Sequence, residues 1–213
     1  MRLTKFGHAC VRIESGSRAV VVDPGSFTEP EAVDGATAVL VTDEHADHFH
    51  LDHLRAADAP VFTISAVAEQ IAADAPDVAD RVTVVAPGQS FDAGHPVSAV
   101  GRWHKLIHEE GPRFANSGYL VDVDGLTVYH PGDAFALPAR EVDVLLLPVS
   151  GPWLRLGEAI DFARAVGAPR NVAIHELISS EIGLGITDAR LRDFLGARDQ
   201  DYVRTSSGSD VPL

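Results

Sequence analysis

Short apolar runs recur along the whole chain, and their length constrains the fold more than any other feature of the sequence. Most are rich in Val and Ile and are bounded by Gly, Pro, Asp or Asn, a pattern that favours strands over helices. They lie at residues 3–13, 19–22, 38–41, 61–64, 82–85, 97–100, 119–123, 127–129, 142–149 and 172–174. Turn residues at 15–17 and 124–125 separate two pairs of runs, which predicts two β-hairpins.

Helical patterns are fewer and lie between the strands. Ser65 is expected to cap a helix that Pro76 ends, residues 158–166 predict a second helix, and Thr187 is expected to cap the last one. Many strands with a few interspersed helices indicate an α/β or α+β layered domain. With 213 residues we expect a single domain over 1–213, with only residues 206–213 loose enough to fray.

Composition limits the partners and the compartment. The formal charge of −14 argues against nucleic acid, whose phosphates need a basic face. No segment approaches the roughly 20 apolar residues of a membrane span, and the N-terminus shows no signal-peptide core, so we expect a cytoplasmic protein without membrane contact. The single cysteine, Cys10, fits a reducing compartment and, between apolar neighbours, is expected in the core.

Side chains that can bind metal follow four of the predicted strands. Loops at one rim of a sheet are where functional sites collect, so four such coincidences predict one site rather than a solvated acidic loop. Imidazole and carboxylate together suit zinc, manganese or iron. The candidates are Asp43, His45, Asp47 and His48 after residue 41, and then His104, Asp133 and His175.

Two features of the segment around His104 leave alternatives open. His108, four residues after His104, either points into the pocket as a substrate binder or proton donor, or replaces His104 as the ligand. Three basic residues nearby are either ordinary surface charge or a clamp for a phosphate or carboxylate on the substrate. They are Arg102, Lys105 and Arg113.

The other histidines and the nearby aromatic residues are expected to have supporting roles. His8 and His130 are predicted to hydrogen-bond or pack beside the site, while His50, His53 and His95 are predicted at the surface or in a turn. Apolar walls for a pocket are expected from Trp103, Phe114, Trp153 and Leu154.

Taken in order, these motifs resemble those of the metallo-β-lactamase superfamily, and within it the small metal-dependent hydrolases related to the L-ascorbate-6-phosphate lactonase group. The resemblance covers nearly the whole chain. The segments that carry it are Gly7-His8-Ala9, Asp23-Pro24, Thr42 to His48, Trp103-His104, Asn116-Ser117-Gly118, His130-Pro131-Gly132-Asp133 and Ile174-His175.

The resemblance implies an αββα sandwich, a four-layer fold, with a metal site on the open edge between two sheets. It also implies ligand roles. His45 and His104 hold a first metal together with position 43, Asp133 bridges, and the second metal is held by Asp47, His48 and His175.

Asp43 departs from the family pattern T-H-x-H-x-D-H, which has a histidine there. A carboxylate binds zinc at about the bond length of imidazole, but its side chain is shorter and negative. Either the first site takes harder ions such as Mn²⁺ or Fe²⁺ more readily, or that site is weak. The sequence therefore predicts one or two divalent ions per chain, zinc first among them.

The predicted activity is metal-assisted hydrolysis of a small molecule, with an anionic substrate as one option. A metal-bound hydroxide beside Asp47 or Asp133 is expected to attack a lactone, thioester, amide or phosphoester, and the leaving group is expected to take a proton from water or from His108. The alternative is a metal-binding or ligand-sensing protein of the same fold, with a degraded first site and little activity. Homo-oligomerisation is left open.

Overall fold

The computed structural model describes all 213 residues and contains two seven-stranded sheets. The first sheet is built mainly from the N-terminal part of the chain. Its first three strands are antiparallel and its next three continue in parallel. In chain order they are β1 (Arg2–Lys5), β2 (Val11–Ser15), β3 (Arg18–Val22), β4 (Ala38–Leu40), β5 (Val61–Thr63) and β6 (Val82–Val84), with β14 (Ser209–Asp210) beside β1.

The second sheet takes its strands from the rest of the chain. Its antiparallel strands are β7 (Ser90–Asp92), β8 (Pro96–Val100), β9 (Gly118–Val123) and β10 (Leu126–His130). Parallel to β10 run β11 (Val144–Pro148), β12 (Arg170–Ile174) and β13 (Asp201–Val203).

Helices cover the outer face of each sheet, which produces four layers. Three buried apolar clusters define the layers. One, of 20 residues, lies between the two sheets, and one lies between each sheet and its helices. No helix combines the length and apolar character that crossing a membrane requires. The helices are α1 (Leu51–Ala57), α2 (Ser65–Asp74) and α3 (Pro76–Ala79) on the first sheet, and α4 (Leu156–Val166) and α5 (Glu181–Gly196) on the second, with a 3₁₀ turn at Pro30–Val33.

The layered α/β class and both hairpins are confirmed, and several local predictions are wrong. The run at 3–13 forms two antiparallel strands, because the chain reverses direction between them. The last helix begins at Glu181, capped by Ser180 Oγ, which accepts from Gly183 N at 3.2 Å. Gly183 and Gly185 made its first turns hard to predict, because glycine disfavours helix. Leu184 packs in the core, and its burial offsets the low helix propensity of the two glycines.

Two further corrections concern segment ends. Ser65 is the first residue of α2 and makes no capping hydrogen bond. The tail at 206–213 is not loose, because Ser209 and Asp210 pair with β1 as an added edge strand. Edge pairings of two or three residues leave too short a pattern for sequence reasoning to detect.

The topology brings several loops to one edge of the sandwich. β8, β10 and β12 run in the same direction within the second sheet, so the loops that follow them emerge together. The loop after β4 meets them from the first sheet, through a backbone bridge between Asp43 and Asn116. Every segment with a predicted metal ligand therefore reaches the same edge.

Candidate metal centre

All seven predicted metal ligands converge at this edge, in three overlapping groups. Within each group the potential ligand atoms lie within 4.8 Å of one another. The groups are Asp43, His45, His104 and Asp133; His48, Asp133 and His175; and His8, Asp47 and His175.

The hydrogen bonds of His48 and His175 decide which ring nitrogen faces the site. His175 Nδ1 lies 2.7 Å from the backbone oxygen of Ser150, which only accepts, so Nδ1 carries the proton. His48 Nδ1 lies 2.7 Å from Asp23 Oδ2 and donates in the same way. The Nε2 atoms are therefore free to bind a cation, as is usual for metal-bound histidines oriented by an acceptor.

His104 follows the same rule, and His45 differs. His104 Nδ1 donates to the backbone oxygen of Lys105, and its Nε2 lies 3.2 Å from Asp133 Oδ2. His45 is 30% exposed, and its Nδ1 lies 3.2 Å from Asp43 Oδ1, another ligand candidate. The site thus has three histidines whose Nδ1 donates to an acceptor outside the candidate ligands, namely His48, His104 and His175. His45 has no such acceptor, because its Nδ1 lies beside Asp43.

Polar atoms without partners face each other in the middle of the centre. Asp43 Oδ2, His48 Nε2, Asp133 Oδ1 and His175 Nε2 are buried and have no hydrogen-bond partner. His48 Nε2 and His175 Nε2 lie 3.2 and 3.1 Å from Asp133 Oδ1. Buried polar atoms are normally satisfied, and carboxylates beside imidazole nitrogens are the donor set of divalent transition metals. The residues therefore fit metal ions.

The carboxylates and histidines of the centre shift each other's pKa values. Burial alone lowers the pKa of His175, but the nearby Asp133 and Asp47 carboxylates outweigh it and raise the pKa to about 9. Burial alone raises the pKa of Asp133, but His48 and His175 outweigh it and hold the pKa well below its usual range. The buried carboxylates and histidines thus stabilise each other's charged forms.

His8 supports the site as a hydrogen-bond donor, in agreement with its predicted role beside the metal loop. Its Nδ1 accepts from the backbone N–H of Leu177 at 3.2 Å, so the proton sits on Nε2. That proton is donated to Asp47 Oδ2, 3.2 Å away. Burial lowers the pKa of His8, which keeps the ring neutral and the donor in place.

Asp23 and Asn116 are supports that sequence reasoning did not assign. Besides His48, Asp23 accepts hydrogen bonds from the backbone N and the hydroxyl of Thr42, at 2.8 and 2.7 Å. Asn116 accepts from Asp133 N at 2.9 Å and donates to Pro131 O. The position of Asp23 directly after β3 was the available signal. Asp23 and Asn116 fix the loops that carry His48 and Asp133.

Gly132 shows why the loop before Asp133 needs glycine. Its φ is +62°, and a Cβ there would lie 2.3 Å from Asn116 Oδ1 and 2.7 Å from Thr42. Only glycine accepts this conformation at so close an approach. The turn brings the two metal-binding loops, one from each sheet, into contact.

A buried ion pair lies directly behind His175. Lys5 Nζ is 3.0 Å from Glu176 Oε1, and the two side chains are 1% and 8% exposed. Lys5 Nζ also donates to the backbone oxygen of Phe6. This pair was not predicted, because a lysine in an alternating strand is ordinarily assigned to the solvent face.

The remaining histidines are distributed as follows. His108 is exposed outside the three groups, and its Nδ1 accepts from Glu110 N at 3.2 Å, so His104 is the histidine of this segment that lies among the candidate ligands. His53 is buried and donates to Pro24 O, which corrects its surface assignment. His130 is buried between Ala9 O and Gly132 N, and His95 is also buried.

An open groove of about 540 Å³ lies beside His104. Trp103, 43% exposed, stands between the guanidinium groups of Arg102 and Arg113, which lie 5.5 and 4.8 Å from its ring centroid. Lys105 is paired with Glu158 at 3.1 Å, so it is less available to a ligand than the arginines.

Trp153 has a polar role that an apolar wall does not describe. It is buried, and its Nε1–H donates to Asp133 Oδ2 at 2.8 Å. Its ring centroid lies 5.8 Å from that of His104 and 6.1 Å from that of His175. Trp153 therefore orients Asp133 between the histidines.

The chain is similar to known proteins over most of its length. Residues 2–175 match the family model described as a β-lactamase superfamily domain. The chain is 35% identical to Protein Rv0786c of Mycobacterium tuberculosis, over 91% of this chain and 92% of the relative. It is 31% identical to a metal-dependent hydrolase of Methanoculleus marisnigri, over 82% of this chain and 80% of that protein.

Solved structures show the same fold at lower identity. Igni18, a metallo hydrolase of Ignicoccus hospitalis, superposes with a TM-score of 0.74 at 20% identity, covering 99% of this chain and 97% of its own. The metallo-β-lactamase fold protein YhfI of Bacillus subtilis gives 0.73 at 15% identity, with 99% and 98% covered. The match to the family model and the identity to the Methanoculleus marisnigri protein show that the chain belongs to the β-lactamase superfamily and, within it, to the family of metal-dependent hydrolases.

Proposed function

We propose that this protein hydrolyses a small ester-like substrate at a centre for two divalent ions. The observation that carries the proposal is the set of buried imidazole nitrogens and carboxylate oxygens that face each other without hydrogen-bond partners. His45, His104 and Asp43 would hold one ion together with Asp133, and His48 and His175 the other, also with Asp133. Asp47, which shares a group with His175, would complete that second side.

A divalent cation, when bound, polarises a carbonyl or phosphoryl oxygen and lowers the pKa of a coordinated water. Asp47 is the carboxylate suited to orient the attacking water by accepting a hydrogen bond from it. Its side chain is 24% exposed, whereas that of Asp133 is only 4% exposed. His8 keeps Asp47 oriented through its hydrogen bond, and despite burial the nearby His175 and His8 rings hold the pKa of Asp47 below the usual range, so the carboxylate stays ionised as an acceptor.

The groove beside His104 favours a small substrate with a negatively charged group. Its volume of about 540 Å³ suits a small molecule. Arg102 and Arg113 are exposed there, and guanidinium groups bind carboxylate or phosphate in a bidentate manner. A lactone, thioester, amide or phosphoester with such a group fits both the groove and the chemistry.

The sensing alternative depended on Asp43 alone. Asp43 is fully buried and lies in one group with His45, His104 and Asp133, so the first position has four candidate ligands. This arrangement favours a working centre over a degraded one.

Metal content and turnover test the proposal together. Metal-free protein supplemented with Zn²⁺, Mn²⁺ or Fe²⁺ is expected to retain up to two ions per chain and to hydrolyse an activated ester, lactone, thioester or phosphoester. His48→Ala should lose the ion on the side of His48 and His175 and, with it, turnover. His50→Ala is the matched control, because His50 is exposed and outside the three groups. Wild-type protein without bound metal or turnover would contradict the proposal.

A pair of matched esters tests the anionic group. With p-nitrophenyl acetate and mono-p-nitrophenyl succinate, we expect the carboxylate-bearing ester to have the higher kcat/KM. Arg102→Ala combined with Arg113→Ala should remove most of that preference and leave hydrolysis of the acetate nearly unchanged. Equal loss for both esters would show that the arginines do not recognise charge.

A further inference from the structure

The two oxygens of Asp43 face different sides of the metal centre. Oδ1 accepts from the backbone N–H of His45 at 2.9 Å and lies 3.2 Å from His45 Nδ1. Oδ2 has no hydrogen-bond partner and lies 3.7 Å from His48 Nε2. One oxygen therefore belongs with the first group of ligands and the other faces a histidine of the second.

Asp133 divides its oxygens in the same way. Its Oδ2 lies 3.2 Å from His104 Nε2, on the first side. Its Oδ1 lies 3.2 Å from His48 Nε2 and 3.1 Å from His175 Nε2, on the second side. The resemblance to the family assigns the bridging role to Asp133 alone, yet Asp43 shows the same arrangement from the opposite loop.

We infer that Asp43 is a second bridging ligand, which contacts both metal positions rather than completing only the first. The inference rests on the proposed metal centre. A carboxylate offers lone pairs on two oxygens, whereas a histidine oriented through one nitrogen offers a single ligand atom. The aspartate at position 43 thus changes the way the two positions are linked, besides adding charge.

The added charge sets a preference among metals. With Asp43 and Asp133 bridging and Asp47 on the second side, three carboxylates serve two ions. Carboxylate ligands suit harder cations, so Mn²⁺ or Fe²⁺ should compete with Zn²⁺ better than in a site with histidine at this position. Asp43→His should shift the ratio of Zn²⁺ to Mn²⁺ affinity toward zinc.

Stepwise metal titration of the metal-free full-length protein tests the bridge. Mn²⁺ and Zn²⁺ are titrated into wild type, Asp43→Ala, Asp43→Asn and His45→Ala, with ions counted by native mass spectrometry and Kd measured calorimetrically. His45→Ala, which removes a ligand of the first side only, should keep one ion near the tighter wild-type Kd. Asp43→Ala and Asp43→Asn should each bind their tighter ion at least about tenfold more weakly than the wild type does, which is the effect expected for a lost ligand.

Spectroscopy and a neighbouring control complete the design. The Mn²⁺-loaded wild type should give an exchange-coupled electron paramagnetic resonance spectrum, and His45→Ala the six-line spectrum of an isolated ion. Glu44→Gln, next in sequence but outside the three groups, should match the wild type. Asp43→Asn keeps the size of the side chain and an oxygen for the His45 N–H, and circular dichroism of the metal-free variant verifies its fold.

The two ways in which the inference can fail are distinct. If Asp43→Asn and His45→Ala retain one ion with the same Kd, Asp43 serves the first position only and the bridge is wrong, while the proposed function stands. If the wild type binds neither Mn²⁺ nor Zn²⁺, both the bridge and the proposed function are wrong.

Discussion

His175 and His45 are both candidate metal ligands, but the protein holds them differently. His175 is 2% exposed, and its Nδ1 donates to Ser150 O at 2.7 Å. His45 is 30% exposed, and its Nδ1 lies beside another candidate ligand, Asp43. A ring braced by a group outside the site is oriented before metal arrives, whereas His45 is oriented within the centre itself. The side with Asp47, His48 and His175, called here the His175 side, should therefore bind its ion more tightly.

The ion pair next to each side shows the same difference in burial. Glu176 follows His175 and pairs with Lys5 in the core, at 3.0 Å. Lys105 follows His104 and pairs with Glu158 at 3.1 Å, with the side chains 31% and 40% exposed. The distances are nearly equal, so burial is the main difference between the two ion pairs.

Breaking the buried pair should have the largest effect. Lys5→Met leaves Glu176 charged and buried without a partner, which should lower the free energy of unfolding by about 3–5 kcal/mol. Lys105→Met, the exposed control, should lower it by less than about 1 kcal/mol. Urea denaturation of the metal-free proteins measures both.

A double variant separates the pair from the packing around it. Lys5→Met combined with Glu176→Leu should recover most of the lost stability, because no charge is then left buried alone. Equal effects of Lys5→Met and Lys105→Met would contradict the contrast between the two ion pairs.

Loss of a histidine from each side should differ in metal affinity. His175→Ala removes a ligand from the better-oriented position and should weaken the tighter ion by about a hundredfold, or about 2.7 kcal/mol. His45→Ala should leave that ion within about threefold of wild type and remove the weaker one. Calorimetric titration with Zn²⁺ distinguishes these outcomes, and the reverse order would place the tighter ion on the His45 side.

Asp23 tests the bracing itself. Asp23→Asn leaves a side chain of the same size but a weaker acceptor for His48 Nδ1, now 2.7 Å from the Asp23 carboxylate. Removing such an orienting partner typically lowers metal affinity by about 10–100-fold, and we expect the lower end because the amide oxygen still accepts. The ion on the His45 side should be nearly unaffected. Unchanged affinity for both ions would show that His48 needs no orientation by Asp23.

Patterns within the sequence predicted the layered class, both hairpins and the convergence of seven candidate ligands, since these follow from alternation and from the direction in which strands end. Contacts between distant segments were not predictable. Lys5 meets Glu176 only because β1 lies beside the loop after β12, and nothing near either residue signals burial. The capping of α5 by Ser180 was missed because packing of Leu184 outweighs the low helix propensity of the neighbouring glycines.

The smallest expected effect is a dependence on pH. The stability of the metal-free protein should fall as pH rises, whereas its affinity for metal should rise. In the metal-free protein the pKa of His175 is raised to about 9 by Asp133 and Asp47, against burial. A group whose folded pKa is raised contributes stability fully below its unfolded pKa, about 6.5, and loses that contribution as pH rises through about 9. Metal-free protein should therefore melt at a lower temperature at pH 9 than at pH 6.5.

Metal binding should show the opposite trend, because an ion must displace the proton from His175 Nε2. Affinity for Zn²⁺ should rise over the same pH range, and binding at pH 7 should release protons. Calorimetry in two buffers with different ionisation enthalpies measures that release. His50→Gln, a change at an exposed histidine outside the metal groups, should leave it unchanged. Binding at pH 7 without proton release would mean that His175 is already neutral, and the carboxylates of the His175 side would then lie side by side without compensating charge until metal binds.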